Sequence, residues 1–279
     1  MYPPSPPISK EMGKIDLDST NSELKGLKGL FEKILRRFKT VTHLFTMLPV
    51  YAFGVLIIGF SLVPGVYAFR WASEYFSEAS VVVQNISLAL SLSLGYFLYG
   101  TTLIFLAPLV NFIFRAKLKP WRGQYHSFET LKWFFHNGLT YIARYTFLEF
   151  VTPSPVNLLF YRMMGMKIGR GAVINTTFIS DPSLIELGEK VTIGGSVTLV
   201  AHYGQGGMMV IAPVVIGKGT TVGLKATIMG GVEIGENVKI LPHSVILPKT
   251  KIPSGETWGG VPAKRIEYLR NAIEQNRAS

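Results

Sequence analysis

Residues 214–252, VVIGKGTTVGLKATIMGGVEIGENVKILPHSVILPKTKI, carry an aliphatic side chain at every sixth position. A helix has a period of 3.6 residues and a single strand a period of 2, so neither explains a period of six. Repeats of six residues are typical of a parallel β-helix, in which three hexads form one coil and each aliphatic side chain points into the prism. We therefore predict a parallel β-helix over residues 166–263. The aliphatic positions in this phase are Ile216, Val222, Ile228, Ile234, Ile240, Ile246 and Ile252.

The repeat is interrupted at residues 199–207, LVAHYGQGG. If Leu199 and Val222 occupy the same corner of consecutive coils, their separation of 23 positions exceeds a regular coil of 18 by five. These five residues are expected to leave the prism between His202 and Val210. The interruption therefore predicts a loop with a histidine at its base.

The same count arranges the polar residues of the turns. It places one extra residue at 181–186 and brings Asp181 close to His202. It also predicts one column of turn residues, on successive coils, that lies at the corner of His202. The members of that column are Ser183, His202, Lys225 and His243.

Three features together resemble the left-handed β-helix acyltransferase family: the hexapeptide repeats, the histidine-bearing loop and the closing segment GGVPAKRI at residues 259–266. The stretch 154–193 also resembles the membrane-attached subset of this family, which includes terminal domains of nonribosomal peptide synthetases of the polylysine-synthase type. The resemblance covers residues 153–267, and it extends to the membrane segments only by type. It implies a left-handed coil, a homotrimer with active sites between neighbouring prisms, and coenzyme A held by the closing segment. The residues so implied are Gly260, Pro262, Ala263, Lys264 and Arg265.

His202 matches the catalytic histidine of this family by its position before the extruded loop. Histidine side chains titrate near neutral pH, which suits a general base that takes a proton from an acceptor hydroxyl or amine. Asp181 is expected to accept a hydrogen bond from the other ring nitrogen and to hold the tautomer. A plain turn before Pro182 is the alternative interpretation of Asp181.

Five further residues are candidates for substrate contacts. Lys225 is a candidate for a coenzyme A phosphate or for the thioester carbonyl, with a solvated turn lysine as the alternative. His243, Tyr203 and Gly204 are candidates for contacts with the donor or the acceptor, and Trp258 for stacking on the donor or for capping the prism. Acyl-CoA, for example acetyl-CoA, is expected as the co-substrate, and no metal is expected.

The composition indicates that part of the chain lies in lipid. Apolar residues make up 48% of the 279 residues and charged residues only 16%, against about 25% in soluble domains. The formal charge of +11 favours anionic lipid headgroups or a polyanionic cofactor over nucleic acid in so apolar a chain. The absence of cysteine excludes disulfides, thiolate metal sites and a cysteine nucleophile.

The N-terminal half has the pattern of a membrane domain. Residues 22–43 place apolar side chains at helical spacing among six basic residues, as in an amphipathic helix on an anionic membrane; a surface helix of a soluble domain is the alternative. Residues 44–69 and 79–114 contain no charged side chain, and each run is long enough to cross a hydrocarbon core of about 30 Å. We predict transmembrane helices near 44–69 and 81–105 within residues 44–114, with Pro108 ending or bending the second.

The flanking charges and the remaining segments complete the predicted organisation. Basic residues before the first span and after the second place both chain ends in the cytoplasm. Residues 115–165 are aromatic and are expected to form interfacial helices, one of them from a Ser127 cap to about Phe150, with His126 and His136 in structural roles. Residues 1–21 are expected to be a disordered tail, and residues 264–279 a C-terminal helix.

These expectations combine into a membrane-anchored acyltransferase. It would move an acetyl or other acyl group from acyl-CoA to a hydroxyl or amine of a membrane lipid, a glycolipid or a lipid-linked saccharide. One alternative is a carrier-protein thioester as the donor. Two others, a zinc carbonic anhydrase and a non-catalytic membrane scaffold, lie outside acyl transfer; a zinc site needs about three suitably spaced ligands, and the repeats contain only His202 and His243.

Overall fold

The computed structural model describes residues 19–266, apart from the side chains at positions 40, 42 and 43. Two long helices come first, α1 at Gly26–Tyr75 and α2 at Val81–Ile113. The basic segment and the first apolar run both belong to α1, which breaks at Lys39 (φ 29°, ψ −101°). The disordered tail that we predicted at 1–21 falls almost entirely outside the described residues.

The second helix does not end where the sequence suggested. It continues past Pro108 to Ile113, eight residues beyond the predicted end at 105. Pro108 is buried there, and tertiary packing can hold a helix together across the single hydrogen bond that a proline removes. Pro108 therefore does not end the helix, and its other predicted effect, a bend, stays a prediction.

The two long helices pack against each other through glycine. A Cβ atom added to Gly65 would come within 3.0 Å of the Gly95 backbone, so this crossing requires small residues. Both helices are long and apolar enough to cross a membrane, over Leu44–Tyr75 and Val81–Ile113. Many of their large apolar side chains are exposed, among them Val55, Phe60, Tyr67, Leu90 and Leu92.

A short connecting region follows the long helices. It comprises strand β1 at Trp121–Gln124, helix α3 at Phe128–Ala143, a π-helical turn at Arg144–Leu148 and helix α4 at Pro155–Met163. The Ser127 hydroxyl accepts a hydrogen bond from the Thr130 amide, which confirms the predicted cap. The helical backbone continues from α3 through the π-helical turn to Leu148, two residues short of the predicted end at about Phe150. Strand β1 was not predicted at all.

The C-terminal half is a coil of short parallel strands. Three parallel sheets form its faces: β2, β5, β10, β13 and β16; β3, β6, β11, β14 and β17; and β4, β7, β12 and β15. The aliphatic hexad positions are buried inside, as predicted. In chain order the strands are β2 Lys167–Ile168, β3 Val173–Ile174, β4 Ile179–Ser180, β5 Ile185–Leu187, β6 Thr192–Ile193, β7 Thr198–Val200, β8 His202–Gln205, β9 Met208–Ile211, β10 Val214–Ile216, β11 Thr221–Val222, β12 Thr227–Ile228, β13 Glu233–Ile234, β14 Lys239–Ile240, β15 Val245–Ile246, β16 Lys251–Ile252, β17 Thr257–Gly260 and β18 Ala263–Arg265.

The interruption of the repeat is larger than the sequence count suggested. Leu199 pairs with Ile228, not with Val222, and the two lie 29 positions apart, eleven more than a regular coil. The excess residues form the antiparallel hairpin β8–β9, and β1 pairs with β9 to make a three-stranded sheet outside the prism. The coil before the hairpin is one residue longer than a regular coil, as predicted, since Ile168 pairs with Leu187 across 19 positions. Ile179 pairs with Leu199 across 20 positions, so two extra residues lie between Ile179 and Leu187, and the preceding hexad is one residue short.

The chain turns back on itself at the end of the prism. Ala263–Arg265 forms strand β18, antiparallel to β17, where we had predicted the start of a C-terminal helix. The turn at Val261–Pro262 reverses the chain, and backbone pairing with β17 then prevails over helix formation. The rest of the predicted helix, residues 267–279, lies outside the described residues.

Candidate active site

His202 and Asp181 form a hydrogen-bonded pair at one corner of the prism. Nδ1 of His202 lies 2.5 Å from Oδ2 of Asp181. Asp181 is fully buried, whereas 23% of the His202 side-chain surface is exposed. With Nδ1 bound to the carboxylate, Nε2 is the nitrogen that remains for a substrate.

The local backbone explains how the two side chains meet. Asp181 follows β4 with φ 60° and ψ 44°, in the left-handed region that aspartate tolerates better than most residues. A 3₁₀ turn at Pro182–Leu184 then leads into β5. His202 begins β8, the point at which the chain leaves the prism one coil later. The turn and the departing strand therefore lie side by side.

Helix α3 completes the surroundings of Asp181. Trp133 Nε1 and Asn137 Nδ2 each donate to Oδ1 of Asp181 at 2.7 Å. The Asp181 amide in turn donates to Oδ1 of Asn137 at 2.9 Å. The Ala201 amide donates to Oδ2 at 3.0 Å, so the buried carboxylate is fully satisfied.

Trp133 also contacts the histidine itself. The two rings meet edge to face, with their centroids 4.9 Å apart and an interplanar angle of 75°. This contact and the hydrogen bond to Asp181 together restrict the orientation of the imidazole. One side chain of α3 thus touches both members of the pair.

Trp133 and Asn137 were not predicted as site residues. The only signal in the sequence is an amide one helical turn after a tryptophan, in a helix that also carries Glu129, Lys132 and His136. Their spacing of four residues places them on the same face. Nothing in that spacing identifies the turn of the prism against which the face packs.

The electrostatics of the site favour an ionised Asp181. Burial by itself raises the pKa of Asp181, but the hydrogen bond and charge of His202 and the hydrogen bond from Asn137 outweigh it. The net result is a pKa below the ordinary value of an aspartate. Asp181 can therefore stabilise a positive charge on His202 during a proton transfer.

A second histidine lies in the helical layer behind Asp181. His136 is fully buried on α3, and its Nδ1 lies 2.8 Å from Oδ1 of Asn111 on α2. Burial lowers the pKa of His136 to about 4; the Asp181 charge opposes this effect and the Lys132 charge adds to it. His136 is therefore neutral at physiological pH and joins α3 to α2, the structural role expected from the sequence.

We predict that His136 makes the fold sensitive to mild acid. Its pKa is lowered in the folded state, so below about pH 6.5 the unfolded chain binds a proton that the folded chain does not. Between about pH 6.5 and pH 4 this difference costs up to about 1.4 kcal/mol of stability for each pH unit. Melting midpoints of the full-length protein at pH 7 and pH 5 should differ less for His136→Gln than for the wild type. An equal loss in both proteins would contradict this assignment.

The predicted column of turn residues does not form. The Lys225 amide donates to the Gly195 carbonyl and the His243 amide to the Leu224 carbonyl, which places both residues at a different corner from His202. Gly230 is the residue that stacks on His202: a Cβ added there would lie 2.9 Å from the His202 amide nitrogen. Ser183 lies in the 3₁₀ turn, where its hydroxyl accepts from the Leu118 amide. The column was predicted on the assumption that Leu199 pairs with Val222, whereas Leu199 pairs with Ile228.

Tyr203 and Gly204 continue β8 beyond the histidine. Successive side chains of a strand point to opposite faces, so Tyr203 faces away from His202. Tyr203 is buried with Val210, Ala212 and Met229, and its hydroxyl has no hydrogen-bond partner in the described part of the chain. Open space surrounds Gly204, where an added Cβ would meet no atom within 4 Å.

The closing segment lies at the far end of the prism. Gly260 ends β17 and Ala263, Lys264 and Arg265 form β18, with Pro262 in the turn between them. Trp258 Nε1 donates to Glu256, and Arg265 forms an ion pair with the same carboxylate. From the coil of His202 to β17 there are three strand spacings, about 14 Å. Within one chain, these residues and Trp258 therefore do not join the His202–Asp181 pair.

Within residues 19–266, no three histidine, aspartate or glutamate side chains form a group that could hold a metal ion. His202 uses one ring nitrogen for Asp181, and His243 lies at another corner. The arrangement at His202 is a partly exposed imidazole hydrogen-bonded to a buried carboxylate, which is able to accept a proton at Nε2.

Comparisons with known proteins agree with the hexapeptide pattern. Residues 209–248 match the family described as bacterial transferase hexapeptide (six repeats). Over 140 residues the chain is 27% identical to a delta-poly-L-ornithine synthetase of Acinetobacter baumannii (strain AB307-0294), covering 47% of this chain and 10% of that protein.

Two further relatives differ in their activities. Gamma carbonic anhydrase 2, mitochondrial, of Arabidopsis thaliana is 35% identical over 96 residues, which cover 33% of this chain and 34% of that protein. A serine acetyltransferase of Buchnera aphidicola subsp. Schizaphis graminum (strain Sg) is 32% identical over 108 residues, which cover 39% and 35%. The chain thus spans about a third or less of the length of each of these relatives.

Proposed function

We propose that this chain is a membrane-anchored acyltransferase, because residues 209–248 match the family described as bacterial transferase hexapeptide. It transfers an acetyl or other acyl group from acyl-CoA to a hydroxyl or amine of a membrane-associated acceptor. The observation that carries this proposal is the His202–Asp181 pair, because its buried acid is held by a helix of the membrane half.

Helix α3 links the site to both long helices. The Phe135 ring lies 5.7 Å from the Phe53 ring of α1, and His136 contacts Asn111 of α2. Trp133 and Asn137 of the same helix donate hydrogen bonds to Asp181. A lipid, glycolipid or lipid-linked saccharide that approaches along α1 and α2 would therefore arrive beside His202, whereas a soluble acceptor has no need of this arrangement.

The proposed reaction uses the free nitrogen of the histidine. Nε2 of His202 takes the proton from the acceptor hydroxyl or amine as that atom attacks the thioester carbonyl. Collapse of the tetrahedral intermediate breaks the carbon–sulfur bond, and the departing thiolate takes the proton back from the imidazolium. Asp181 stabilises the imidazolium while it exists and keeps Nδ1 protonated.

The charge distribution supports a cytoplasmic site. Basic residues precede the first candidate span and follow the second, so the positive-inside rule places the prism with the cytoplasmic acyl-CoA pool. Lys264 offers a cation for the coenzyme A phosphates, and it lies next to Arg265, which forms an ion pair with Glu256. They lie far from His202 in one chain, so a donor bound between neighbouring prisms of a homotrimer is part of the proposal.

Lipid analysis tests this function directly. We expect full-length protein in nanodiscs of mixed phospholipids and glycolipids to attach the acetyl group of labelled acetyl-CoA to a lipid, detected by mass spectrometry. The matched control is Asp181→Asn, which should form little product. If labelled acetyl-CoA is consumed only with soluble sugars or amino acids as acceptors, the membrane acceptor is wrong.

A zinc carbonic anhydrase is the second candidate, because two relatives are named gamma carbonic anhydrases. The described residues bring no three metal ligands together, so this function would require ligands from neighbouring copies of the chain. Stoichiometric zinc in the purified protein, together with CO₂ hydration and no lipid product, would favour this candidate over acyl transfer.

A further inference from the structure

Arg144, at the end of α3, is a buried arginine without an acceptor. Only 9% of its surface is exposed, and its guanidinium lies among three aromatic rings. The guanidinium carbon is 4.0 Å from the ring centre of Phe178, 4.9 Å from that of Tyr145 and 5.9 Å from that of Tyr141. No hydrogen bond or ion pair joins this guanidinium to another group within residues 19–266.

The nitrogen atoms of Arg144 can still be reached from outside. They are not among the fully enclosed polar atoms that lack a partner. Because aromatic rings pack around its guanidinium, the Arg144 side chain has already lost most of its conformational freedom before a ligand binds. Its planar fork of donors suits the two oxygens of a phosphate group.

The π-helical turn at Arg144–Leu148 leads directly to a charge of opposite sign. Turns of this kind occur frequently at functional sites. The exposed carboxylate of Glu149 follows the turn and accepts a hydrogen bond from the Thr177 hydroxyl. Within the described residues Glu149 forms no ion pair, with Arg144 or with any other cation.

The two charges lie against neighbouring residues of the prism. The Arg144 guanidinium carbon is 4.0 Å from the ring centre of Phe178, and Glu149 accepts from the hydroxyl of the preceding residue, Thr177. A ligand that carries only a negative charge would be attracted by Arg144 and repelled by Glu149. A ligand that carries only a positive charge would be attracted by Glu149 and repelled by Arg144. A molecule that carries both signs can satisfy both residues.

The segment that carries this charge pair also contacts α2, while Glu149 itself lines a small cavity with Thr152, Asn175 and Ser196. The Phe150 ring lies 5.4 Å from the Phe97 ring, and the Tyr96 hydroxyl donates to the Thr146 carbonyl at 3.1 Å. Tyr145 is 73% exposed beside them. Aromatic side chains of this kind gather where membrane headgroups meet water.

We propose that Arg144 and Glu149 form a headgroup site for a zwitterionic phospholipid, with the phosphate on Arg144 and the ammonium group on Glu149. The inference rests on the proposed function, since it names the class of lipid that is held beside the active site. Along α3, Arg144 is seven residues from Asn137, which binds Asp181, a rise of about 10 Å. A headgroup seated here is thus within the length of a lipid molecule from His202.

Short-chain lipids test the site without turnover. Dihexanoyl phosphatidylethanolamine, phosphatidylcholine and phosphatidylglycerol, and inorganic phosphate alone, are titrated into the full-length protein in neutral detergent, and the melting midpoint is followed. We expect phosphatidylethanolamine to bind at least tenfold more tightly than phosphatidylglycerol, and phosphatidylcholine to lie between them because its ammonium group cannot donate a hydrogen bond. Inorganic phosphate should shift the midpoint least.

Variants identify the residues that bind. Arg144→Gln should weaken phosphatidylethanolamine binding at least tenfold, and Glu149→Gln should remove its advantage over phosphatidylglycerol. Arg170→Gln is the matched control, since Arg170 is exposed on the prism. If Arg144→Gln does not fold, the Glu149→Gln comparison decides the matter alone.

Three outcomes would overturn the proposal. They are an unchanged response in Glu149→Gln, a preference of the wild type for phosphatidylglycerol, and a response to inorganic phosphate equal to that of the lipid. Because no acyl-CoA is present, these results are independent of the acyl-transfer assay. Lipid acylation without headgroup selectivity removes only this inference, and selective binding without acylation removes only the proposed function.

Discussion

His202→Ala is expected to lower the rate of lipid acylation by about 10²–10⁴-fold, the usual contribution of a general base. The loss should appear mainly in kcat, because the imidazole acts on the proton that moves in the transition state and not on the bound donor. His202→Asn should lose as much activity, since an amide can donate to Asp181 but cannot take the acceptor proton at neutral pH. The rate is measured with labelled acetyl-CoA and the lipid mixture identified above.

The controls for this prediction concern folding. The His202 side chain is a hydrogen-bond partner of the buried Asp181 carboxylate, so its removal should lower the melting midpoint, and activities are compared well below the midpoint of each variant. Glu186→Gln changes an exposed ion pair on a neighbouring strand and should keep full activity. Acylation by His202→Ala at more than a tenth of the wild-type rate would remove the histidine from the mechanism.

Asp181→Ala is expected to affect stability as well as activity. The fully buried carboxylate accepts from Trp133, Asn137 and the Ala201 amide and contacts His202. Each buried donor left without an acceptor costs about 1–3 kcal/mol. A loss of several kcal/mol of unfolding free energy should result, and it should lower the melting midpoint of the full-length protein in nanodiscs.

Asp181→Asn separates the two effects. The amide keeps the shape and one acceptor oxygen, so the fold should be destabilised less than by alanine. Activity should still fall by about 10²–10⁴-fold, because no charge remains to hold the tautomer and to stabilise the imidazolium. A variant that melts below the wild type yet retains full activity would make Asp181 a structural residue only.

The coils of the prism could be predicted because their repeat depends only on the spacing of residues close together in the sequence. Each aliphatic hexad position fixes one inward-facing residue, and the seven positions from Ile216 to Ile252 are all buried or nearly so in the structure. The contact between Asp181 and His202 could also be expected, since it depends on residues at the edges of neighbouring coils. Both predictions need only the spacing of residues along the chain.

The extruded hairpin could not be counted correctly from the hexads. Residues 214–222 resume the pattern, and nothing in the sequence shows on which face of the prism they re-enter. Pairing Leu199 with Ile228 shifts every later turn by one face, which moves Lys225 and His243 away from His202. Similarly, β1 has too few residues and too mixed a composition to be recognised as a strand before its partner β9 is known.

The contribution of α3 to the site could not be predicted from the sequence, for a different reason. Trp133 and Asn137 make their contacts 44 or more positions away along the chain. Contacts of that range depend on how α3 docks on the prism, and composition predicts only that α3 has a face suited to an interface. The sequence therefore predicts His202 and Asp181 as members of the site, but it does not predict the two α3 residues that hold Asp181.

The sheet outside the prism has a consequence for any attempt to isolate the repeats. Strand β9 pairs with β8 on one side and with β1 on the other, and β1 comes from the segment just after α2. A fragment that begins at residue 166 would present β9 as an unpaired sheet edge, open to pairing with another molecule. The same cut would leave the buried side of Asp181 without Trp133 and Asn137. The prism is thus bound to the helical half of the chain as closely as two parts of a single hydrophobic core.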